Sequence, residues 1–418
     1  MKIFVPSFIA SVALVLFPSA GALNVQLPGV NYEMMYGDNK CKSAAEVEAD
    51  MMLIKKVADK IRIHSLIPCQ HGEVVLPAAK KVGLKVELGI QTCSNYYQEK
   101  KLLSRLVEVG LFDSNIVTFH VGSNEVSNGE VQPDVALTHL IEIQSIIRSC
   151  GKSTAVTVSD SIDTYMQNPS IFEKVDFVSI SSMPIRDGIA ISDAVSITLE
   201  QVQKLLEKAT ELDKKVAFSE VGWSSDAVGS DQALYMKRVF QMAKAYDFEF
   251  YWFTAFDSKG GNGNQLAANF GIFDKNNKMK AHLQELKIEL LEPRILQNLG
   301  TKLVLAESKS AVVMHKHEAA EGANAVWLYD KETHQLISKF NFRCLTANQE
   351  IKDGKVQVTQ CVNDDKDQKW TFGENGQLFH STNATFCLAA DVSTIGKVVL
   401  RNTCASDDKY QKWTALKP

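Results

Sequence analysis

The stretch VTFHVGSNEVSNGE, Val117 to Glu130, sets a strand-forming run against a polar loop. The apolar run Ile116 to Val121 breaks at Gly122 and Asn124, the residue types that end a strand, and a carboxylate, Glu125, follows at once. One glutamate at a strand exit says little. A second stands in the same setting: in KKVAFSEVGWSS the run Val216 to Phe218 leads into Ser219-Glu220, then Gly222 and Trp223. Two such exits matter if both strands belong to one sheet.

Between residues 26 and 290, short apolar runs alternate with longer helical periods. The strands read as VQLPGVNY, DKIRIHS, LKVELGI, NIVTFHVG, STAVTVS, VDFVSIS, KKVAFSE and FEFYWFTAF. Helices are expected over 43–57, 72–82, 97–110, 133–148, 196–212, 231–246 and 279–291. In the fourth of these, Leu137, Leu140, Ile143 and Ile147 share a face behind Pro133. Strand–helix alternation implies parallel sheet, because a parallel crossover needs a helix-sized connection. Eight units over roughly 250 residues fit a (β/α)8 barrel. The alternative, an open doubly wound sheet, usually has fewer strands, and no Gly-rich phosphate loop follows the first strand. In a barrel, Glu125 ends the fourth strand and Glu220 the seventh, so both reach the C-terminal rim where catalytic groups collect. A pair of carboxylates, one protonated and one ionised, is what glycoside hydrolysis requires. The plainer alternative for either one is a buried carboxylate satisfied by Arg62 in KIRIH on the second strand.

Beyond Pro293 the texture changes. Trp327, Trp370 and Trp413 recur every 43 residues, as do Cys344 and Cys387, Cys361 and Cys404, and Gln368 and Gln411. This is an internal repeat. The two full copies are CLTANQEIKDGKVQVTQCVNDDKDQKW and CLAADVSTIGKVVLRNTCASDDKYQKW. A worn first copy, KLVLAESKSAVVMHKHEAAEGANAVW, keeps the Trp without the cysteines. Each full copy should close its own loop through Cys344–Cys361 and Cys387–Cys404. The region is strand-rich, without a convincing helix. Of the other four cysteines, Cys41, Cys69 and Cys93 fall in rim loops and Cys150 ends a helix at the opposite face. Cys41–Cys69 and Cys69–Cys93 both stand open as pairings.

The chain has 418 residues and a net charge of −4, which gives no argument for nucleic acid or an anionic membrane as partner. Its first 22 residues carry Lys2, an apolar run from Phe8 to Phe17 and the small residues Ala20-Gly21-Ala22, the pattern of a cleaved secretory signal. Secretion and eight cysteines together favour disulfides. No cofactor is called for, and no metal site is apparent: His315 and His317, the only close histidine pair, read as a solvated strand face. Asn383-Ala384-Thr385 is a glycosylation sequon.

The barrel region resembles glycoside hydrolase family 17, the β-1,3-glucanases, and its microbial members above all. GVNY at 29–32, the segment 41–65, HVGSNEV at 120–126, SEVGWSS at 219–225, FTAFDSK at 253–259 and NFGIF at 269–273 carry the resemblance. It implies that Glu125 is the general acid/base and Glu220 the nucleophile, that Asn124 bonds the sugar 2-hydroxyl, and that Tyr32 and Trp223 line the cleft as stacking faces. Arg62 joins these as a candidate substrate-binding residue. The sequence departs from the family pattern with an additional Ser123, with Ser258 and Ala267 where glutamates are usual, with His64 for a common Tyr, and in ISSMPIRDG on the sixth strand. The repeat region resembles the ricin-type lectin β-trefoil, whose repeats carry a Cys pair and Gln-x-Trp. The family's sugar-binding acid falls on Thr346 and Ala389 here, with Asp391 two positions later, and its aromatic on Thr359 and Asn402.

Together these readings give a signal peptide over 1–22, a (β/α)8 glycosidase barrel over 23–292 and an all-β trefoil over 293–418. A chain ending near Leu291 is expected to fold without the trefoil. The function implied is a secreted, monomeric, retaining endo-β-1,3-glucanase whose partner is a β-glucan polysaccharide or oligosaccharide, with a possible carbohydrate ligand for the trefoil. The alternatives are a β-1,3-glucanosyltransferase using the same residues and a non-catalytic wall-binding lectin on a decayed barrel.

Overall fold

The structure, a computed structural model, describes residues 23–36, 40–226, 228–258, 269–308, 311–317, 322–348, 354–380 and 385–418. The expected signal segment, Ala267 and the sequon residues Asn383 and Ala384 lie outside these. Among the described residues no helix is long and apolar enough to cross a membrane.

Eight parallel strands close into a barrel in sequence order. They are β1 (Gly29–Asn31), β2 (Lys60–Arg62), β3 (Lys85–Ile90), β4 (Ile116–Ser123), β5 (Ala155–Asp160), β6 (Val178–Ser182), β7 (Val216–Val221) and β8 (Glu249–Trp252). Closure comes from β1 pairing with β8, Val30 opposite Trp252. The helices around them are α1 (Ala44–Ile54), α2 (His71–Lys81), α3 (Tyr96–Glu108), α4 (Pro133–Ser149), α5 (Ile162–Gln167), α6 (Pro169–Lys174), α7 (Ala194–Glu211) and α8 (Gly229–Tyr246). Local signals explain their starts. Ser43 caps α1 in a reciprocal capping box with Glu46, and Pro133 opens α4. The α4 stripe of Leu140, Ile143 and Ile147 is buried as its spacing requires.

Two features differ from the sequence reading. The β5–β6 crossover holds α5 and α6, two short helices broken at Asn168-Pro169, which no long apolar period announces. The helix expected over 279–291 is a single turn, Ala281–Gln284. Beyond it the Asn24 side-chain amide bonds both the N–H and the carbonyl of Ile288, as a neighbouring strand would, and this competes with helix.

From Glu292 onward the described strands pair antiparallel, and the first, Glu292–Asn298, pairs with the last, Trp413–Leu416. The 43-residue repeat is visible as hydrogen bonds. The indole N–H groups of Trp327, Trp370 and Trp413 donate to the carbonyls of Leu305, Leu345 and Leu388 at 3.0, 2.8 and 2.8 Å. Each Gln of Gln-x-Trp staples the loop around the second cysteine of its copy. Gln368 bonds Gln360 and Val362, and Gln411 bonds Thr403 and Ala405. The Cys344–Cys361 and Cys387–Cys404 bridges form as expected, and Cys41–Cys69 is the third; Cys93 and Cys150 are free thiols.

The repeat region does not hang free. Leu328, Ile337, Phe342 and Cys344 are part of the same buried apolar cluster as the barrel. Around them, Gln203 on α7 donates to the Phe340 carbonyl, Arg343 pairs with Glu200, and Lys237 on α8 pairs with Glu332. Arg238 donates to Gln335 and lies 3.6 Å from the buried Asp330. A barrel ending near Leu291 would therefore uncover apolar surface that the intact chain buries. Asp330→Ala removes one of the two anions that face Arg238, the other being Glu332, and should cost about 1–3 kcal/mol, lowering one shared unfolding transition. Calorimetry that shows two separate transitions, the barrel's unmoved, would restore the picture of independent modules.

Candidate active site

The chain leaves β4 through a bulge. Register against β5 shifts between His120 and Ser123, so the additional Ser123 is absorbed there, and bulges re-aim the side chains beyond them. Gly122 has φ +84°, and a Cβ on it would lie 3.0 Å from Glu125 Oε2. Asn124 also lies in the left-handed region, at φ +60°, which Asn tolerates better than most residues. This backbone puts Asn124 and Glu125 on different sides of the exit. Thr92, in the loop after β3, donates its backbone N–H to both Glu125 oxygens at 3.1 and 2.8 Å, and its hydroxyl also bonds Oε2. From the end of β5, Asp160 accepts the N–H groups of Val126 and Ser127 and fixes the loop beyond.

Glu220 leaves β7 beside two further shifts of register, in β6–β7 and β7–β8. Its oxygens are unequal. Oε1 lies 3.1 Å from Arg62, 2.8 Å from His64 Nε2 and 3.2 Å from Ser123 Oγ. Among the described residues Oε2 has only Asn124 Nδ2 and Ser181 Oγ, both at 3.4 Å.

Both glutamates are 5% exposed, so each is largely desolvated. Their surroundings separate them. Burial pushes the Glu125 pKa up, against the opposing bonds from Thr92. Burial acts on Glu220 in the same direction, but the His64 hydrogen bond and the Arg62 charge outweigh it and hold that carboxyl well below the usual range. One group keeps its proton where the other has lost it.

The remaining sequence candidates are placed less simply. Arg62 is fully buried beneath Glu220, bonded to Asn31, Ser123 and the carboxylate, so it positions the nucleophile candidate and does not face substrate. Tyr32 is 1% exposed; its hydroxyl bonds Asp50 and its ring meets the edge of Phe256. Trp223 is buried against Tyr235, ring centres 5.1 Å apart. Trp223 offers no open face for stacking, and Tyr32, though nearly covered, forms part of the wall of the cavity beside His64. Beside His64, the neighbour of Glu220, a cavity of about 230 Å³ is lined by Asn31, Tyr32, His64, Phe253, Phe256 and Ser258 among others.

Sequence reading missed Thr92 and Asp160. Both sit at strand exits, as Glu125 does, and that position was the available signal. It also missed that free Cys93 lies with Glu125 and Glu130, their ligand atoms within 4.8 Å of one another.

A closed parallel barrel carrying two buried carboxylates at its rim, the pKa of one raised and of the other lowered, is the constitution of a glycoside-cleaving barrel enzyme. The comparisons with known proteins agree. The chain belongs to the family described as the BtgE/BtgC glycoside hydrolase domain, which matches residues 29–271, and the ricin-type β-trefoil lectin domain matches 306–413. It carries a family 17-like glycoside hydrolase barrel with a C-terminal ricin-type lectin domain. A glucan 1,3-β-glucosidase of Arthroderma benhamiae is 25% identical over 298 residues, 65% of this chain and 94% of its own length. The probable family 17 glucosidase SCW10 of Saccharomyces cerevisiae is 28% identical over 204 residues, 47% of this chain and half of that relative. In fold, the barrel matches the family 17 β-1,3-glucanosyltransferase of Rhizomucor miehei with TM-score 0.56 at 21% identity, covering 63% of this chain and 98% of that one.

Thr92→Val tests the Glu125 environment. The lost hydroxyl bond favoured the ionised form, so the Glu125 pKa should rise further. If Glu125 must be protonated to act, the alkaline limb of kcat/KM should move to higher pH. A limb that stays put or moves to lower pH would count against Glu125 as the acid.

Proposed function

We propose that the protein is a secreted, retaining endo-β-1,3-glucanase that works by double displacement. The observation that supports this best is the opposed setting of the two carboxylates. Buried Glu125, with its raised pKa, gives its proton to the leaving glycosidic oxygen. Ionised Glu220 attacks the anomeric carbon to form a glycosyl-enzyme. Glu125, now the base, takes a proton from water, which releases the sugar with its configuration retained. Asn124, whose amide lies near Glu220 Oε2, is placed to hold the sugar 2-hydroxyl. The β-1,3-glucan substrate rests on the Arthroderma relative's activity and on the family. Transfer to a second sugar would use the same glycosyl-enzyme, and product analysis at high laminari-oligosaccharide concentration separates the two outcomes.

The division between catalytic and lectin units is proposed near residue 292, where the first strand of the repeat region begins. Carbohydrate is the ligand class for the lectin unit. Thr346 and Thr359, at the family's acid and aromatic positions, are hydrogen-bonded to each other, which makes that copy a poor sugar site. Secretion is supported by the three disulfides, which suit an oxidising compartment.

Glu220→Gln keeps the shape and removes the charge, so laminarin hydrolysis should fall by about a thousandfold or more, with an unchanged circular dichroism spectrum. Near-normal release of reducing sugar would reject the assignment, and equal activity on cellulose would reject the linkage.

A further inference from the structure

The unequal oxygens of Glu220 carry a further inference. Arg62 NH1 has two N–H bonds. Asn31 Oδ1 at 3.0 Å and Glu220 Oε1 at 3.1 Å both accept from NH1, and the Asn31 amide is oriented by its donation to the Ser219 carbonyl. His64 Nε2 lies 2.6 Å from NH1 and 2.8 Å from Oε1. Ionised Oε1 can only accept, so the bond between them puts the proton on Nε2. Ser123 has the same logic: its oxygen accepts from Arg62 NH2 at 3.0 Å, so its hydroxyl hydrogen is free for Oε1. Three donors from β2, the segment just beyond it and β4 converge on one oxygen. The other has, among the described residues, only the two longer contacts.

We propose that His64 is a positioning residue that, with Arg62 and Ser123, clamps Oε1 of Glu220 and leaves Oε2 as the attacking oxygen. The inference rests on Glu220 being the nucleophile. Oε2 forms the bond to the anomeric carbon while the bond from that carbon to the leaving oxygen breaks. The leaving oxygen keeps the electron pair and takes the Glu125 proton. Oε1 becomes the carbonyl oxygen of the glycosyl ester and goes on accepting from the same donors, so the clamp need not rearrange between steps. Charged and titratable neighbours facing this imidazole are Arg62, Glu220, His71 on α2 and His120 on β4. Burial and the Arg62 charge keep it neutral to a lower pH than a free histidine.

The test compares His64→Ala with His64→Gln, whose amide keeps a donor and cannot titrate. On laminarin, His64→Ala should lower kcat by about tenfold or more and move the acid limb to higher pH, because the ionised nucleophile loses a donor. His64→Gln should recover kcat to within about threefold and return the limb. Equal losses in both variants, or an unmoved limb in His64→Ala, would overturn the clamp. A second measurement needs no substrate. In 15N spectra of the intact protein, the His64 ring should be neutral with its proton on Nε2, and Glu220→Gln should lower its titration midpoint. A midpoint indifferent to Glu220 would overturn the clamp whatever the protein does to glucan. A shifted midpoint in a protein without glucan activity would keep the clamp and reject the glucanase reading.

Discussion

The buried ion pair of Arg62 and Glu220 is the constraint around which the barrel's catalytic end is organised. Two opposite charges withdrawn from water are tolerated only if their remaining hydrogen-bonding capacity is met. Here most of it is met from around the barrel, by Asn31 on β1, Ser123 on β4, Ser181 on β6 and His64 just beyond β2, while Arg62 Nε has no partner among the described residues. Asn31 in turn bonds the Ser219 and Tyr251 carbonyls, tying β1 to β7 and β8, where the barrel closes. The network that holds the nucleophile candidate thus also crosses the closing seam. A substitution in it should be felt in both stability and chemistry, and its members should couple strongly.

Glu125 belongs to a different environment. It meets a threonine N–H and hydroxyl, with no cation among its hydrogen-bond partners, in a loop fixed by Asp160. The two carboxylates are equally exposed, so burial alone cannot distinguish them. What separates them is a guanidinium and an imidazole on one side and neutral donors on the other. In the proposed mechanism this lets a single barrel rim supply an acid and a nucleophile at the same pH.

Much of this was legible in the sequence. The eight strands could be read because parallel strands are apolar runs ended by Gly and polar residues, and the glutamates stood where those runs broke. The repeat was legible because the Trp and Cys spacing does not tolerate drift. What was not legible is long-range. Tyr32 and Trp223 look like stacking platforms in a motif, but Asp50 and Tyr235, each on the helix that follows, hold them back in the wall. Arg62 read either as a substrate contact or as a buried partner, and only the closed barrel puts it under Glu220. Ser123 looked like an insertion without a role until the bulge gave it Oε1. The terminal helix failed because a side chain 264 residues away competes for its backbone.

The retaining double displacement is tested most directly with Glu125→Ala, an activated β-glucoside and azide. A good leaving group needs little acid help, so the glycosyl-enzyme on Glu220 should form and accumulate for want of a base. Azide needs no base and should restore turnover. The product should be the β-glycosyl azide, because two inversions return the starting configuration. An α-azide would mean a single displacement and would contradict Glu220 as the nucleophile, and a folded variant that azide cannot rescue would contradict Glu125 as the acid/base.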